Sequence, residues 1–419
     1  MTAFPIDDVR AQFPALAAKG AEGAPIYLDG PGGTQICAPA LAAMVRHLEA
    51  GTANSGGAFR TSVETDAMSE AAHAAMADLL GGSPDEIAFG PNMTTLTFAV
   101  SRAVSRDWRE GDELVVTRLD HDANVTPWLM VAQDRGMTVR WIDLDPETGL
   151  LRIDALPEIL GPRTRLVAVG GASNAIGTLN DVEAIVRIVR AHCDALVFVD
   201  AVQSVPHVVT DVRALGCDLL VCSPYKFFGP HQGVLWGRDE LLERIQAYKV
   251  RPASIHPSAR RFETGTPSFE GQAAVLGTID YLETLGARFA PDDATRRERL
   301  RAAMLGCHAY EDALGERLLA GLGTIDGLKL WGPPTVRGRV PTFGVTIAGH
   351  DPHALSEALA AHDIFAWAGN FYAVEAIARL GLAESGGLLR LGLCHYNTVD
   401  EVDRVVDVLT RIVRSASAR

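Results

Sequence analysis

Short apolar runs alternate with helical stretches between about residue 60 and residue 275, and this alternation limits the fold more than any other feature. Residues 67–80 and 181–192 are the clearest helical stretches. Apolar strands that alternate with helices form parallel βαβ units. We therefore predict an α/β fold whose large domain, residues 26–280, contains a mainly parallel seven-stranded sheet. The predicted strands are EIAFG, ELVVTR, TVRWIDL, RLVAVGG, ALVFVD, LLVCS and GVLWG.

A second alternation follows a long helical region at residues 281–322. From about residue 324 onward, short strand-like runs and helices alternate again up to a final helix that starts near residue 401. This pattern predicts a smaller α+β C-terminal domain, residues 281–419. We expect the N-terminal segment, residues 1–25, to pack with it.

Composition and net charge limit which binding partners and which cellular compartment suit this protein. The chain has 419 residues and a net charge of −14, which disfavours nucleic acid or an anionic membrane surface as a partner. The N-terminus has early acids and no apolar segment of the secretory kind, and no apolar run is long enough to span a bilayer. The six cysteines form no C-x-x-C pair, so we expect no metal site, no disulfide framework and a cytoplasmic location.

Lys226 and Asp200 each stand at the end of an apolar run. Ligands of parallel sheets collect beyond the carboxyl ends of the strands. A lysine and an aspartate at neighbouring strand ends suit pyridoxal 5′-phosphate (PLP), because the lysine can form a Schiff base and the aspartate can pair with the pyridinium nitrogen. His121 and Asn174 also follow apolar runs directly, so we expect them at the same edge.

Two segments are candidates for holding the cofactor phosphate. Residues 90–95 lie between a strand and a helix, where free backbone N–H groups bind anions, and they include Met93 and Thr94. Ser223, three residues before Lys226, is the second candidate. Each alone would be an ordinary cap or turn residue, and their position around Lys226 favours the phosphate role.

The remaining candidates concern the ring and the substrate. His121 can stack on the pyridine face, and Asn174 and Gln203 can bond its phenolic oxygen, although turn amides and a capping histidine are the ordinary alternatives. Arg390 lies in an apolar strand, where a buried arginine needs an anionic partner. A substrate carboxylate or an internal salt bridge would each satisfy it.

Seven ordered segments together resemble the class V aminotransferase-fold enzymes, and most closely the cysteine desulfurase and selenocysteine lyase group. Isopenicillin N epimerase and kynureninase are more distantly similar. The segments span nearly the whole chain: YLDGPGGT at 27, DHDANVTPW at 120, SNAIGTLNDV at 173, VDAVQSVPH at 199, CSPYKFFGP at 222, FETGTPSFE at 262 and LRLGLCHYNT at 389.

The resemblance implies a PLP-dependent transferase fold of type I and a homodimer with shared active sites. Lys226 would be the Schiff-base lysine, and Arg390 would hold the carboxylate of a small amino-acid substrate. Thr266 would reach the phosphate bound in the neighbouring subunit. The resemblance agrees with the roles given above for the ring and phosphate ligands: Met93, Thr94, His121, Asn174, Asp200, Gln203 and Ser223.

The chain departs from the family pattern at three places. Cysteine desulfurases carry a loop cysteine that takes the sulfur atom, but here Tyr372 or a near neighbour occupies that place and no cysteine lies between Cys307 and Cys394. Tyr225 replaces the histidine that usually precedes the lysine. A Gly30-Pro31-Gly32-Gly33 stretch reshapes the wall that faces the substrate, so Gly32 and Tyr372 join Arg390 as candidate substrate contacts.

Persulfide chemistry needs a thiolate at the substrate sulfur, so these departures argue against an ordinary sulfur donor. The family resemblance, and no single residue, favours a β-lyase that cleaves a C–S bond of a small amino acid. Lys226 would remove the Cα proton. An aminotransferase or an epimerase would share this first step and is the alternative. A catalytically idle homologue is disfavoured by the joint presence of Lys226, Asp200, His121 and Arg390.

Overall fold

The computed structural model describes residues 3–20, 23–251 and 254–417. In these ranges, none of the helices combines the length and hydrophobicity that crossing a membrane requires. The strands are β1 Ile26–Tyr27, β2 Ile87–Gly90, β3 Glu113–Thr117, β4 Thr138–Ile142, β5 Thr164–Gly170, β6 Leu196–Asp200, β7 Leu219–Cys222, β8 Gly233–Gly237, β9 Leu328–Trp331, β10 Thr342–Ile347, β11 Ile364–Phe365, β12 Trp367–Gly369 and β13 Leu388–Gly392. The α-helices are α1 Ile6–Arg10, α2 Ala38–Glu49, α3 Arg60–Leu80, α4 Met93–Val104, α5 Thr126–Arg135, α6 Leu156–Ile159, α7 Val182–His192, α8 Val212–Leu215, α9 Asp239–Arg244, α10 Phe269–Gly286, α11 Arg296–Leu322, α12 Pro352–Ala360, α13 Val374–Arg379 and α14 Val399–Ser417.

The large sheet has seven strands in the order β2-β8-β7-β6-β5-β3-β4. All seven correspond to the predicted strands. The neighbouring pairs among β3 to β7 are parallel, and β8 is antiparallel to both of its neighbours, β2 and β7. The prediction of a mainly parallel seven-stranded sheet is therefore confirmed.

Alternating side chains of the large sheet enter two separate cores. In β5, Val167 and Val169 pack with residues of α3, α7 and α10, whereas Leu166 and Ala168 pack with residues of α4 and α5. Successive side chains of a strand point to opposite faces, so a sheet that is covered by helices on both faces needs apolar residues at every position. The continuous apolar runs in the sequence follow from this requirement.

The C-terminal part forms an antiparallel four-stranded sheet in the order β12-β13-β10-β9. A third core joins this sheet to α11, α12 and α14. Arg390 lies at the middle of β13, between β10 and β12. This position brings its side chain from the smaller sheet towards the edge of the large one.

The N-terminal segment contacts both parts of the chain. The ring of Phe4 stacks on Tyr310 of α11 at 4.2 Å, and Arg10 donates a hydrogen bond to the Tyr396 carbonyl at 2.7 Å. Phe13 packs edge-on against Phe228 beside the large sheet, with 5.6 Å between the ring centroids. Helix α10 continues through residue 280, and β1 pairs with β11, so the division of the chain at residues 25 and 280 stays a prediction.

Candidate active site

The carboxyl ends of β3, β5, β6 and β7 open into one cavity of about 300 Å³. The first turn of α4, the loop at residues 31–32 and the segment 367–372 complete its wall. Eleven of the twelve predicted site residues line it: Gly32, Met93, Thr94, His121, Asn174, Asp200, Gln203, Ser223, Lys226, Tyr372 and Arg390. Thr266 does not.

Lys226 is buried at the floor of this cavity, in a short turn that follows β7. Its ammonium group donates a hydrogen bond to the Pro31 carbonyl and lies 4.9 Å from the centre of the Tyr225 ring. Burial lowers the pKa of Lys226 to about 7, and the positive charge of Arg390 acts in the same direction. Neutral amine is therefore present near neutral pH, as a nucleophile or a general base requires.

Asp200 is the last residue of β6 and is also buried. One carboxylate oxygen accepts the Val202 N–H at 2.9 Å. Burial raises the pKa of Asp200 to about 6, although the Val202 N–H and Lys226 act in the opposite direction. A cationic group beside this carboxylate would favour its ionised form.

His121 begins the turn that follows β3. Its Nδ1 accepts the Ala123 N–H at 3.0 Å, so the proton of the neutral ring is on Nε2. Burial lowers the pKa of His121 to about 4, and the charge of Lys226 contributes to the shift. A neutral, flat ring is thus presented to the cavity.

Four buried polar atoms of the cavity wall have no hydrogen-bond partner within the described chain: Ser223 Oγ, Asn174 Oδ1, Gln203 Oε1 and Arg390 Nε. Buried polar atoms are normally paired, so their shared position indicates a polar ligand. Ser223 stands with Met93 and Thr94, where α4 presents its N-terminal backbone N–H groups. These residues fit a phosphate at one end, and Asp200 fits the ring nitrogen of PLP at the other.

Arg390 is buried, and no carboxylate of the described residues forms an ion pair with it. Its Nη1 donates to the Asn174 carbonyl at 2.9 Å, and its Nε has no hydrogen-bond partner. The Phe371 ring covers one face of the guanidinium, with 4.0 Å from Cζ to the ring centre. Burial lowers the pKa of Arg390 to about 9. The internal salt bridge that the sequence left open is therefore not present here, and an anion can take that place.

Comparison with known proteins places the chain in a family. The model of the family described as Aminotransferase class-V matches residues 26–405. The chain belongs to the class V aminotransferases. Enzymes of this family depend on PLP. Lys226, Asp200 and the unpaired polar atoms of the cavity fit this cofactor.

The relatives share the full length of the chain. A probable cysteine desulfurase of Pseudomonas aeruginosa is 34% identical and covers 96% of this chain and 97% of its own. The apo cysteine desulfurase of Thermococcus onnurineus has a TM-score of 0.88 at 25% identity, and it covers 99% of both chains. The cysteine desulfurase CsdA of Escherichia coli, in its S-sulfonic acid form, has a TM-score of 0.83 at 26% identity, with 98% and 99% covered.

Two carboxylates in or beside this class V aminotransferase cavity were missed by the sequence reasoning. Asp120 is buried and accepts hydrogen bonds from Thr117 Oγ1 and Asn124 Nδ2, both at 2.7 Å. Burial raises its pKa to about 7. Burial also raises the pKa of Asp29 to about 6, although Arg390 and Lys226 oppose the shift. Asp120 directly precedes His121, and this adjacency was the one signal that could have indicated it.

The sequence reasoning also missed two aromatic residues. Trp367 and Phe371 line the cavity beside Tyr372, which was predicted. Phe371 and Tyr372 have φ angles of 54° and 57°, in the left-handed region that residues other than glycine seldom occupy. The Asn174 side-chain amide donates to the Phe371 carbonyl at 2.8 Å, which holds this turn against the large sheet. Such a contact depends on tertiary packing and leaves no local sequence signal.

None of the six cysteines lines the cavity. Cys394 is the nearest in sequence to Arg390, but it is buried against Gly30, where an added Cβ would come within 2.6 Å of the sulfur. Burial raises the pKa of the Cys394 thiol well above its ordinary value. A buried thiol of this kind is inert, so it is a packing residue and no substitute for a loop nucleophile.

Thr266 lies elsewhere on the surface. It is exposed and contributes to a surface pocket with Thr264, Arg260, Val250 and Ser254. It makes no contribution to the cavity of its own chain.

Proposed function

We propose that the protein is a PLP-dependent lyase that cleaves the C–S bond of a small L-amino acid by β-elimination. One observation carries the choice of elimination over sulfur transfer to the enzyme. Family members carry a cysteine in the loop that lines this cavity. Here the loop has Phe371 and Tyr372 in that place, and no cysteine lines the cavity. Cleavage of a C–S bond without a thiol acceptor on the enzyme releases the sulfur as a free thiol or sulfide.

Each wall of the cavity has a role in this proposal. Lys226 is the cofactor lysine, and Asp200 keeps the pyridine nitrogen protonated. When bound, PLP supplies an electron sink for negative charge at Cα. Ser223, Met93 and Thr94 hold the phosphate. The other cofactor contacts are His121 on the ring face and Asn174 and Gln203 at the phenolic oxygen.

One charged residue and two neighbouring positions form the proposed substrate contacts. Arg390 binds the substrate carboxylate, because its Nε is unpaired and one face is already covered by Phe371. Gly32 leaves room beside Trp367, since a Cβ there would lie 2.8 Å from the indole nitrogen. Tyr372 closes the cavity from the other side.

Lys226 then moves the proton. Its lowered pKa makes it a base at neutral pH, and it takes the proton from Cα. The Cβ–S bond breaks, and the sulfur leaves with the electron pair and takes up a proton. The aminoacrylate that is released reacts with water to give pyruvate and ammonia. No oxidant or reductant is consumed.

Product analysis with L-cysteine tests this proposal. We expect pyruvate, ammonia and sulfide in equal amounts, with loss of all three in Lys226→Ala and no loss in Lys329→Ala, whose lysine is distant on β9. Alanine with sulfur retained on the protein would overturn the proposal in favour of desulfuration. A keto acid that forms without sulfide would indicate transamination, and loss of optical activity alone would indicate epimerisation.

We also infer a homodimer with shared active sites in the cytoplasm. Thr266 is exposed outside its own chain's cavity, which supports a role at the phosphate of a second copy. Exposed apolar side chains near the same pocket, Val250 and Ile255, support burial of this surface against another chain. The six unpaired cysteines support a reducing compartment.

A further inference from the structure

Two large aromatic side chains stand at the mouth of the cavity with most of their surface in solvent. Trp367 is 56% exposed and Tyr372 is 70% exposed, and both line the cavity. Aromatic rings contribute large apolar areas when they are covered, so an exposed pair at a ligand cavity is suited to covering a ligand. We call these two residues the aromatic mouth.

Strand pairing fixes Trp367 beside the group proposed to bind the substrate carboxylate. Trp367 of β12 is the direct antiparallel partner of Arg390 on β13. Side chains of directly opposed residues lie on the same face of a sheet, about 5 Å apart at Cβ. An amino acid bound through its carboxylate to Arg390 therefore has the indole as an immediate neighbour.

Tyr372 is held against the turn that follows β3. Its carbonyl accepts the Asp122 N–H at 2.8 Å, next to His121 in the turn after β3. Its ring centre lies 5.4 Å from that of His121 at an angle of 37°. The turn that carries the ring is thus anchored through the backbone at both 371 and 372, in the wall of the cavity that Trp367 also lines.

Each charged side chain of the cavity already has a hydrogen-bond partner or a proposed role. The charged side chains that line it are Asp120, Asp200, Lys226 and Arg390, and all four are buried. Asp120 has hydrogen-bond partners for both oxygens, and the other three have roles at the cofactor and the substrate carboxylate. No charged side chain in the described cavity wall remains to pair with a charged group on the outer part of a substrate.

We propose that the aromatic mouth favours amino acids whose sulfur carries a neutral apolar or aromatic group, so that cysteine S-conjugates are better substrates than free L-cysteine. This inference rests on the proposed C–S lyase function and names its substrate class. With S-benzyl-L-cysteine, Lys226 takes the Cα proton and the Cβ–S bond breaks. Phenylmethanethiol leaves with the electron pair and a proton, and one water converts the remaining fragment to pyruvate and ammonia.

A comparison of three conjugates tests the selection. We expect kcat/KM for S-benzyl-L-cysteine to exceed that for S-methyl-L-cysteine by roughly ten- to a hundredfold, as for a well-filled apolar subsite. S-(2-aminoethyl)-L-cysteine, which ends in a cation, should be the poorest of the three. Trp367→Ala and Tyr372→Ala should bring the benzyl-to-methyl ratio close to one. Trp367→Phe, Tyr372→Phe and the distant exposed Leu150→Ala should retain most of it.

A binding measurement separates this inference from the lyase function. L-homophenylalanine has an aromatic side chain and no leaving group, and its affinity relative to L-alanine can be followed by the absorbance of the bound cofactor. Tight binding that both alanine variants weaken, without thiol release from any conjugate, would support the aromatic mouth and refute the lyase. Turnover of L-cysteine with equal benzyl and methyl values, unchanged in the variants, would refute the aromatic mouth alone.

Discussion

Lys226 is a cation that its surroundings make easy to deprotonate. It lies in a buried position with Arg390 acting against its charge, while Asp200 and Asp29 act in its favour. Its pKa of about 7 contrasts with an ordinary value of 10.5. The balance favours deprotonation because burial is the largest influence.

The pH dependence of cofactor loading tests this balance. Only the neutral amine attacks the aldehyde of PLP, so the loading rate of the apo protein should rise with pH through about 7 and then level off. Arg390→Gln removes a positive charge that lowers the Lys226 pKa. The midpoint of the loading rate against pH should therefore move to higher pH in this variant. Stopped-flow absorbance would measure both rates. A rate that keeps rising towards pH 10.5 in the unchanged protein would contradict the account.

Arg390 is the residue that we expect to bind the substrate carboxylate. Arg390→Ala removes a charged hydrogen-bond donor from the carboxylate site, so KM for the amino-acid substrate should rise by roughly ten- to a thousandfold. Arg379→Ala, which removes an exposed arginine paired with Asp143, should leave KM unchanged. Steady-state kinetics and a melting curve for each variant check the result. An unchanged KM in a folded Arg390→Ala protein would make Arg390 a structural residue.

At the scale of elements, β8 supports the first turn of α4. Gly233 of β8 packs so closely that an added Cβ would lie 2.3 Å from the Asn92 carbonyl carbon and 2.7 Å from the Met93 nitrogen. Backbone atoms cannot move aside as a side-chain end can. The turn proposed to bind the phosphate therefore depends on a glycine of β8.

Gly233→Ala should displace this turn and weaken PLP binding by roughly tenfold, or about 1.4 kcal/mol. Gly237→Ala on the same strand is the matched control, because its Cβ would meet only side-chain atoms of Leu219 and Leu242. Titration of each apo protein with PLP, monitored by absorbance, measures the difference. Equal PLP affinities for the two variants would show that the α4 turn is not a phosphate site.

The site residues at the strand ends could be predicted from the sequence, because apolar runs mark the strands and ligands of parallel sheets bind at the carboxyl ends. Asp200, His121 and Asn174 follow apolar runs, and parallel strands bring their carboxyl ends to one edge. Trp367 and Phe371 were not predictable in this way. The position of Trp367 comes from the pairing of β12 with β13. The position of Phe371 depends on the contact of the Asn174 side chain with the 371 carbonyl, which joins residues 197 positions apart.

For the whole molecule, the proposed dimer can be tested by complementation between two variant chains. In a hybrid of Lys226→Ala and Thr266→Ala chains, shared sites would place the intact lysine of one chain with the intact threonine of the other. Half of the sites should then bind PLP with the affinity of the unchanged protein. If Thr266 served its own chain, every site with a lysine would be impaired. Differently tagged chains and a PLP titration of the purified hybrid distinguish the two cases.

In the proposed mechanism, the C–S bond is cleaved without a sulfur-carrying cysteine on the enzyme. The most direct test is the intact mass of the holoenzyme during turnover of L-cysteine, with pyruvate measured in the same sample and no reductant present. We predict an unchanged protein mass while pyruvate accumulates. A mass gain of one sulfur atom per chain, with alanine as the product, would contradict the claim.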